Sequence, residues 1–171
     1  MKRILALLLT LCLLPLCAAA SRERVTSFTE EDAALVSAQF DHLLEMTIPG
    51  KPYPACCQSM TETERLLYAV ILYDSYMRSS GLCSFLLDDP AIAADVPAAL
   101  RMIGAQEQAE LLEAFLAAHN PSGNPLFAAA GFINRNWAKT MYPFDSFDEA
   151  MLAMDAKTAL VTQIAAFLCA Q

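Results

Sequence analysis

Helix-start patterns recur along this chain, and each precedes apolar residues at the spacing of a single helix face. Thr29 stands before three acidic residues at 30–32, which places a side-chain acceptor and carboxylates over the free amides of a first helical turn. Five apolar residues then share one face: Ala33, Val36, Phe40, Leu43 and Leu44. We therefore predict a helix that begins after Thr29 and ends near Pro49-Gly50.

A second helix is predicted after the loop KPYPACCQSM. Thr61 and Glu64 have the spacing of a capping box, in which each side chain satisfies a backbone amide of the first turn. Four residues of this helix then turn toward the interior: Leu66, Val70, Tyr73 and Met77. The following Ser79, Ser80 and Gly81 indicate a structural turn that ends the helix.

The middle of the chain has the pattern of short helices separated by proline and glycine. Asp89 and Asp95 each precede a proline closely, which is typical of an N-cap with proline in the first helical turn. Gly104 interrupts the helical pattern. An amphipathic helix follows and ends at Asn120, the residue before a proline. Residues 121–144 show no clear helical spacing and receive no assigned element.

Three aromatic side chains in this unassigned region are candidates for a ligand groove: Phe132, Trp137 and Tyr142. An aromatic residue in a helical domain more often belongs to the core, because its large apolar surface is best removed from water. We therefore expect these three side chains to be core residues.

The end of the chain is predicted to be helical again. Ser146 with Glu149 indicates a cap, and the helical region reaches about Cys169 with a break around Asp155. Glycine accounts for five of 171 residues, whereas Ala, Leu, Met and Glu are plentiful, which favours helix over sheet. The sequence therefore predicts an all-α fold, with a single compact multi-helix domain over residues 21–171.

The N-terminus has the three regions of a secretory signal peptide: MKR, then ILALLLTLCLLPLC, then AAAS. The small residues up to Ala20 predict cleavage before Ser21, so that residues 1–20 are removed and the mature protein is secreted, periplasmic or part of the cell envelope. Cys17 allows a rival interpretation as a lipoprotein anchor. Leu16 argues against it, because that signal needs a small residue before the cysteine.

Three segments of the chain together resemble a known family. They are, in order, YDSYMRSSGLCSFLLDD, VPAALRMIGAQEQAELLEAF and FDSFDEAMLAMD. They are similar to the bacterial DNA-mimic-protein-like domain, an all-helical domain largely of unknown function, over roughly residues 65–168. Leu100 with the Ile-Gly-Ala run at 103–105 matches one family motif, whereas residues 79–82 have Ser-Ser-Gly-Leu where the family has Asn-Gly-Gly-Phe.

The resemblance implies a protein that acts by binding another protein. The family's namesake is an acidic helical dimer whose carboxylates imitate DNA phosphates, so a homodimer and a partner with a basic surface are implied. The chain has 11 basic and 19 acidic residues, and loss of Lys2 and Arg3 with the signal peptide leaves a formal net charge of −10. This charge permits mimicry and disfavours direct nucleic-acid binding. The candidate acidic surface consists of Asp88, Asp89, Asp95, Glu107, Glu110 and Glu113.

Two functions stay open at this point. The first is a non-catalytic interaction module whose partner lies outside the cytoplasm, because an exported protein does not meet cytoplasmic DNA-binding proteins. The second is an envelope hydrolase with an unrecognised site, for which Cys83 near a helix start would be the nucleophile and His42 or His119 the base. We favour a structural role for Cys83, since apolar residues follow it and a buried free cysteine acts as a small hydrophobe.

The sequence predicts no cofactor and no metal site. The adjacent Cys56 and Cys57 cannot easily chelate one zinc ion without distant partners. The loop around Asp88, Asp89 and Asp95 lacks the alternating oxygen ligands of a calcium motif, and we predict helix capping as the role of these carboxylates.

Four cysteines follow the predicted cleavage point: Cys56, Cys57, Cys83 and Cys169. Export would place them where disulfides persist, and three full pairings exist. A continuous helix over 61–79 would be about 28 Å long at 1.5 Å per residue, which separates Cys83 from the adjacent pair. We predict that Cys169 pairs with Cys56 or Cys57, and that Cys83 stays a buried thiol.

The first testable prediction concerns the signal peptide. Protein isolated from its native host should begin at Ser21, because the residues before it match a signal-peptidase site. Intact-mass analysis measures this directly. A retained Met1, or a diacylglycerol group on Cys17, would contradict the prediction.

Overall fold

The computed structural model describes residues 28–171, and the predicted signal peptide lies outside the described residues. The described part contains helices and no strand, which confirms the all-α fold. The helices are α1 (Glu30–Glu45), α2 (Glu62–Ser79), α3 (Gly81–Asp88), α4 (Val96–Met102), α5 (Gln106–His119), α6 (Pro125–Ile133), α7 (Arg135–Ala138), α8 (Phe144–Asp155) and α9 (Leu160–Cys169). Short 3-10 turns occur at Ala55–Cys57, Ile92–Ala94 and Pro121–Gly123.

Both predicted helix starts are capped, and each cap is a capping box. Thr29 Oγ1 accepts a hydrogen bond from the Asp32 amide at 3.0 Å, and the Thr61 amide donates to Glu64 Oε2 at 2.7 Å. Each box satisfies amides that no helical carbonyl can reach. The starts of α1 and α2 are therefore confirmed, whereas α1 ends at Glu45, before its predicted proline boundary.

Helix α2 lies at the centre of the fold and packs against α1, α3, α4 and α9. Its buried residues are Leu67, Ala69, Val70, Ile71, Tyr73, Asp74 and Met77. The Tyr73 ring packs edge to face against the Phe85 ring of α3, with ring centroids 5.3 Å apart. Helix α4 packs in turn on α5, and α8 contacts both α3 and α5, so that the outer helices close around α2 and α3.

The turn at Ser79, Ser80 and Gly81 joins α2 directly to α3. Gly81 has a φ of +80°, in the left-handed region that favours glycine, and an added Cβ would lie 2.8 Å from Asp148 Cγ of α8. Asp148 Oδ1 also accepts a hydrogen bond from the Leu82 amide at 3.0 Å. The turn thus brings the start of α3 against α8, and a carboxylate from α8 caps α3.

Several local predictions differ from the structure. Helix α8 begins at Phe144, so Ser146 lies within its first turn and not at the N-cap. Neither Asp89 nor Asp95 caps a helix through its side chain, because both carboxylates bind other side chains. Leu44 is 41 % exposed, because α1 faces the core with its neighbour Leu43.

Other boundaries agree with the sequence prediction. Asn120 ends α5 with a φ of 40°, and Gly104 separates α4 from α5 with a φ of +84°. The predicted break near Asp155 is also present: α8 ends there, and Asp155 Oδ1 accepts a hydrogen bond from the Leu160 amide at 2.8 Å at the start of α9. The unassigned region 121–144 forms α6 and α7.

Among the described helices, none by itself has both the length and the apolar character to cross a membrane. Helices α8 and α9 reach that length and composition only together, with a 50° bend between them.

The second testable prediction is that Gly81→Ala destabilises the fold more than Gly104→Ala. Both residues have a positive φ, but the added methyl group meets Asp148 at Gly81 and open space at Gly104. We expect a loss of about 1 kcal/mol in unfolding free energy at Gly104 from the backbone alone, and about 3 kcal/mol at Gly81 where overlap is added. Urea denaturation of the two variants measures the difference, and equal losses would show that the contact with Asp148 contributes nothing.

Candidate interaction surface

Four large apolar side chains face solvent on the neighbouring helices α6 and α7. Phe132 is 96 % exposed, Ile133 81 %, Leu126 66 % and Trp137 51 %. We call these four residues the apolar surface. The expectation that Phe132 and Trp137 belong to the core is therefore wrong, whereas Tyr142 is partly buried and packs against it.

The sequence of α6 explains why this surface exists. The segment PLFAAAGFI has no charged or polar side chain, so the helix is apolar on every side. Phe127 and Ala130 face the core, and a Cβ at Gly131 would overlap the Leu87 side chain of α3. Since only one side of α6 packs on the domain, its other side presents apolar groups to water. A helix that is apolar all round is normally enclosed by protein.

Helix α6 rests on a packed aromatic cluster. The Phe127 ring lies 5.6 Å from the Tyr142 ring and 5.5 Å from the Phe144 ring, measured between centroids. Asn124 caps α6 by accepting a hydrogen bond from the Leu126 amide at 3.0 Å, and its Nδ2 donates to the Tyr142 hydroxyl at 2.7 Å. These contacts hold the apolar surface on a fixed support.

Helix α7 is held at its start by a cap and an ion pair. Asn134 Oδ1 accepts a hydrogen bond from the Asn136 amide at 2.9 Å. Arg135 Nη2 lies 2.5 Å from Asp88 Oδ1, which ties α7 to the end of α3. Trp137 is therefore presented from a short helix whose start is capped and whose cation is paired.

An acidic cleft lies beside the end of α7. It has a volume of about 400 Å³ and is lined by Ser79, Ser80, Lys139, Asp145, Asp148, Glu149 and Leu152. Asp145 and Glu149 are exposed on α8, while Asp148 caps α3. Lys139, which follows the last residue of α7, lines the cleft, and Trp137 of the apolar surface lies two residues before it in the chain. We use the name acidic cleft for this set of residues.

The structure brings two segments of the sequence resemblance together in this cleft. The turn at 79–81 comes from the first segment and the α8 carboxylates from the third. The sequence pattern of α8 indicates only a capped helix, so it does not identify Asp145 or Glu149 as binding residues. One signal in the sequence points to them: Asp145 and Glu149 belong to the third resembling segment, and the turn belongs to the first.

The residues of the candidate acidic surface have different surroundings, and several of them bind arginine. Asp88 pairs with Arg135 at 2.5 Å, and Glu113 Oε2 pairs with Arg101 Nη2 at 2.5 Å. Arg101 lowers the pKa of Glu113 through its hydrogen bonds. Glu110 accepts a hydrogen bond from Gln106 at 2.6 Å on α5.

The remaining residues of the candidate acidic surface also differ in their surroundings. Asp89 accepts a hydrogen bond from the Tyr76 hydroxyl at 2.9 Å, and Glu107 is exposed in the first turn of α5. Ion pairing with arginine neutralises part of the negative charge of the candidate acidic surface. The exposed carboxylates of the cleft are therefore additional candidates for contact with a basic partner.

Asp95 belongs to a partly buried cluster at the start of α4. Its carboxylate accepts hydrogen bonds from the Tyr53 hydroxyl and from the Arg65 guanidinium, and Arg65 also donates to Tyr53 at 3.1 Å. Burial raises the pKa of Tyr53 to about 12, although Arg65 opposes this shift. The cluster ties the α1–α2 loop to α2 and α4.

The residues considered for catalysis do not form an activated thiol. Cys83 is fully buried, as predicted, and burial raises its pKa to about 11. A thiol with this pKa is almost entirely protonated near neutral pH, and the thiolate is the reactive form. His119 packs its ring 4.8 Å from Phe115 and 5.9 Å from Tyr142, while His42 is exposed in the last turn of α1.

The other cysteines are free thiols in the structure. Cys57 is buried, Cys56 is half-buried and Cys169 is exposed at the end of α9. The pairing of Cys169 with Cys56 or Cys57 stays a prediction. Within residues 28–171, no group of three His, Cys, Asp or Glu side chains has the arrangement of a metal site.

Asp74 is a buried carboxylate at the contact of α2 with α8 and α9. Arg78 Nη2 lies 2.7 Å from Asp74 Oδ2 and forms an ion pair with it. Burial raises the pKa of Asp74 to about 7, against the opposing charge of Arg78. The adjoining cavity is about 20 Å³, which holds one water molecule and no substrate. Asp74 is therefore a buried carboxylate of the core that is paired with Arg78.

Comparison with known proteins gives a family match. The model of the family described as DMP19-like protein matches residues 58–171, more than half of the chain, and spans α2 to α9. This match includes all three segments on which the sequence resemblance depends. Neither a curated protein nor a solved structure matches the chain.

The third testable prediction concerns Asp74 and pH. Its folded-state pKa of about 7 lies above the unfolded value of 3.8, so the protonated form is favoured by folding. The resulting stability is complete below the unfolded pKa and is lost as pH rises through about 7. The stability of Asp74→Asn relative to wild type should therefore increase between pH 4 and pH 8, by about 4 kcal/mol.

Urea denaturation at several pH values measures this difference. Glu113→Gln is the matched control, because the pKa of Glu113 is lowered and any stability it contributes is lost as pH falls. A constant difference between wild type and Asp74→Asn across this pH range would contradict the prediction.

Proposed function

Since this chain belongs to the family of DMP19-like proteins, we propose that it is an exported, acidic, non-catalytic module that binds a protein partner. The apolar surface is the centre of the contact, and the acidic cleft beside it receives basic side chains of the partner. A basic partner surface with an exposed apolar group fits both features.

The exposure of Phe132, Ile133, Leu126 and Trp137 is the observation that carries this proposal. Contiguous exposed apolar groups with a polar border are typical of protein interaction sites. Aromatic residues are enriched at the centres of such interfaces, where each contributes a large contact area. The fixed support of α6 and α7 favours binding further, because few side chains have to be ordered when the partner arrives.

The charge of the chain supports the choice of a basic partner. The mature protein would carry a formal net charge of −10, and Asp145 and Glu149 are exposed in the acidic cleft. Negative charge of this kind attracts a basic protein over several ångströms and speeds its association. In the manner that the resemblance implies, these carboxylates take the place that phosphates would occupy on the partner.

Export is part of the proposal and rests on the signal-peptide pattern of residues 1–20. The resemblance also implies a homodimer, so a second copy of the chain is the alternative occupant of the apolar surface. We place a different protein there, because two copies of a strongly acidic chain repel each other and the cleft offers carboxylates to cations.

The fourth testable prediction is that Phe132→Ser and Trp137→Ser weaken partner binding while the fold stays intact. Both side chains face solvent, so their loss should cost the fold little. We expect each variant to weaken binding by about tenfold or more. Capture from envelope extract of the native host identifies the partner, and titration of the purified partner measures affinity. Leu44→Ser, which removes an exposed leucine of α1, is the matched control and should bind normally.

Charge variants test the second half of the interface. Glu149→Lys should weaken binding and reduce its salt dependence, whereas Glu45→Lys on α1 should not. Unchanged affinity in Phe132→Ser would contradict the assignment of the apolar surface. Conversion of a wild-type dimer to a monomer by Phe132→Ser would assign the surface to self-association, and turnover by the purified chain in a hydrolase screen would overturn the non-catalytic module.

A further inference from the structure

The adjacent cysteines of the α1–α2 loop form a close thiol pair. Cys56 Sγ and Cys57 Sγ lie 3.5 Å apart in the 3-10 turn Ala55–Cys57. Cys57 is 2 % exposed, whereas Cys56 is half-buried and reachable from solvent. The turn therefore holds one accessible thiol next to one enclosed thiol.

Backbone hydrogen bonds hold this arrangement on both sides. The Cys56 amide donates to the Pro52 carbonyl and the Cys57 amide to the Pro54 carbonyl, each at 3.0 Å. The Cys56 carbonyl accepts from the Ile48 amide at 2.9 Å. Since the turn is fixed at these points, the two sulfur atoms stay close together without a search through other conformations.

We propose that Cys56 and Cys57 form a redox-active dithiol that closes to a vicinal disulfide by exchange with a small-molecule disulfide such as oxidised glutathione. The proposal does not depend on a protein partner and goes beyond the binding role of the apolar surface. It also differs from the pairing of Cys169 that the sequence predicts.

The exchange proceeds in two balanced steps. The Cys56 thiolate attacks one sulfur of oxidised glutathione, so that a mixed disulfide forms on Cys56 and one glutathione thiolate leaves and takes up a proton. The Cys57 thiolate then attacks Cys56 Sγ and releases the second glutathione as thiol. The protein loses two protons and two electrons, and one glutathione disulfide takes them up to become two thiols.

The surroundings order these steps and set their pH dependence. Burial and the hydrogen bond with Cys56 raise the pKa of Cys57 to about 12, so Cys57 is a poor first attacker. Its attack on Cys56 is intramolecular at 3.5 Å, which compensates for a small thiolate fraction. The second step should therefore become faster as pH rises toward 9.

Strain keeps the disulfide reversible. Consecutive Cα atoms are about 3.8 Å apart across a trans peptide, whereas disulfides usually join Cα atoms about 4.4–6.8 Å apart. A ring closed between neighbours is therefore strained and more easily reduced than an ordinary structural disulfide. Reduced glutathione should restore both thiols.

The fifth testable prediction uses the full chain, reduced and then treated with oxidised glutathione under native conditions. Free thiols are alkylated and the protein is cut with trypsin, which separates Cys56 and Cys57 (peptide 25–65) from Cys83 (79–101) and Cys169 (158–171). Peptide 25–65 should lose two hydrogens and resist alkylation, after a transient adduct of one glutathione. Millimolar reduced glutathione should then reverse the change.

Three variants make the result specific. Cys57→Ser should stop at one glutathione on Cys56, and Cys56→Ser should react at least about tenfold more slowly. Cys169→Ser is the matched control and should behave as wild type. A cross-link between peptides 25–65 and 158–171, a glutathione adduct that persists on wild-type Cys56, or two alkylated cysteines would each overturn the proposal.

Discussion

The enclosure of α2 by four other helices is the constraint on which the rest of the structure depends. This helix has 18 residues and contributes a fully buried tyrosine, Tyr73, besides its aliphatic side chains. Burial of each large apolar side chain stabilises the fold by about 1.5–3 kcal/mol. Because α3 follows α2 without a linker, the position of α2 also decides where α3 and its cap from Asp148 lie. The acidic cleft forms at that junction.

Sequence reasoning succeeds where the cause is local. The capping boxes at Thr29 and Thr61 involve residues three positions apart, and the left-handed cap at Asn120 needs only its own backbone and the following proline. Helix starts, breaks and the all-α class follow from such short-range interactions. The part of the fold that depends on helix caps and on the spacing of apolar residues can therefore be predicted from the sequence.

Reasoning from the sequence fails where the partner is distant along the chain. The Asp95 carboxylate has the local pattern of an N-cap, yet it binds Arg65 and Tyr53, because a cation 30 residues away offers a stronger interaction than a free amide. Phe132 is of a residue type that usually lies in the core, but α6 is apolar all round and only packing decides which of its sides is covered. The sequence does not reveal the candidate site for this reason, since the site combines α2, α6, α7 and α8.

The exposed side of α6 needs a cause other than folding. Phe127 and Ala130 supply its contact with the core, whereas Phe132 and Ile133 add little to the stability of the isolated domain. Exposed apolar groups alone would promote self-association, but the strong negative charge of the chain opposes the approach of a second copy. A basic partner meets attraction instead of repulsion at the same surface. Charge therefore selects among the proteins that the apolar surface would otherwise accept, and salt, which screens charge beyond about 8 Å at physiological strength, weakens that selection.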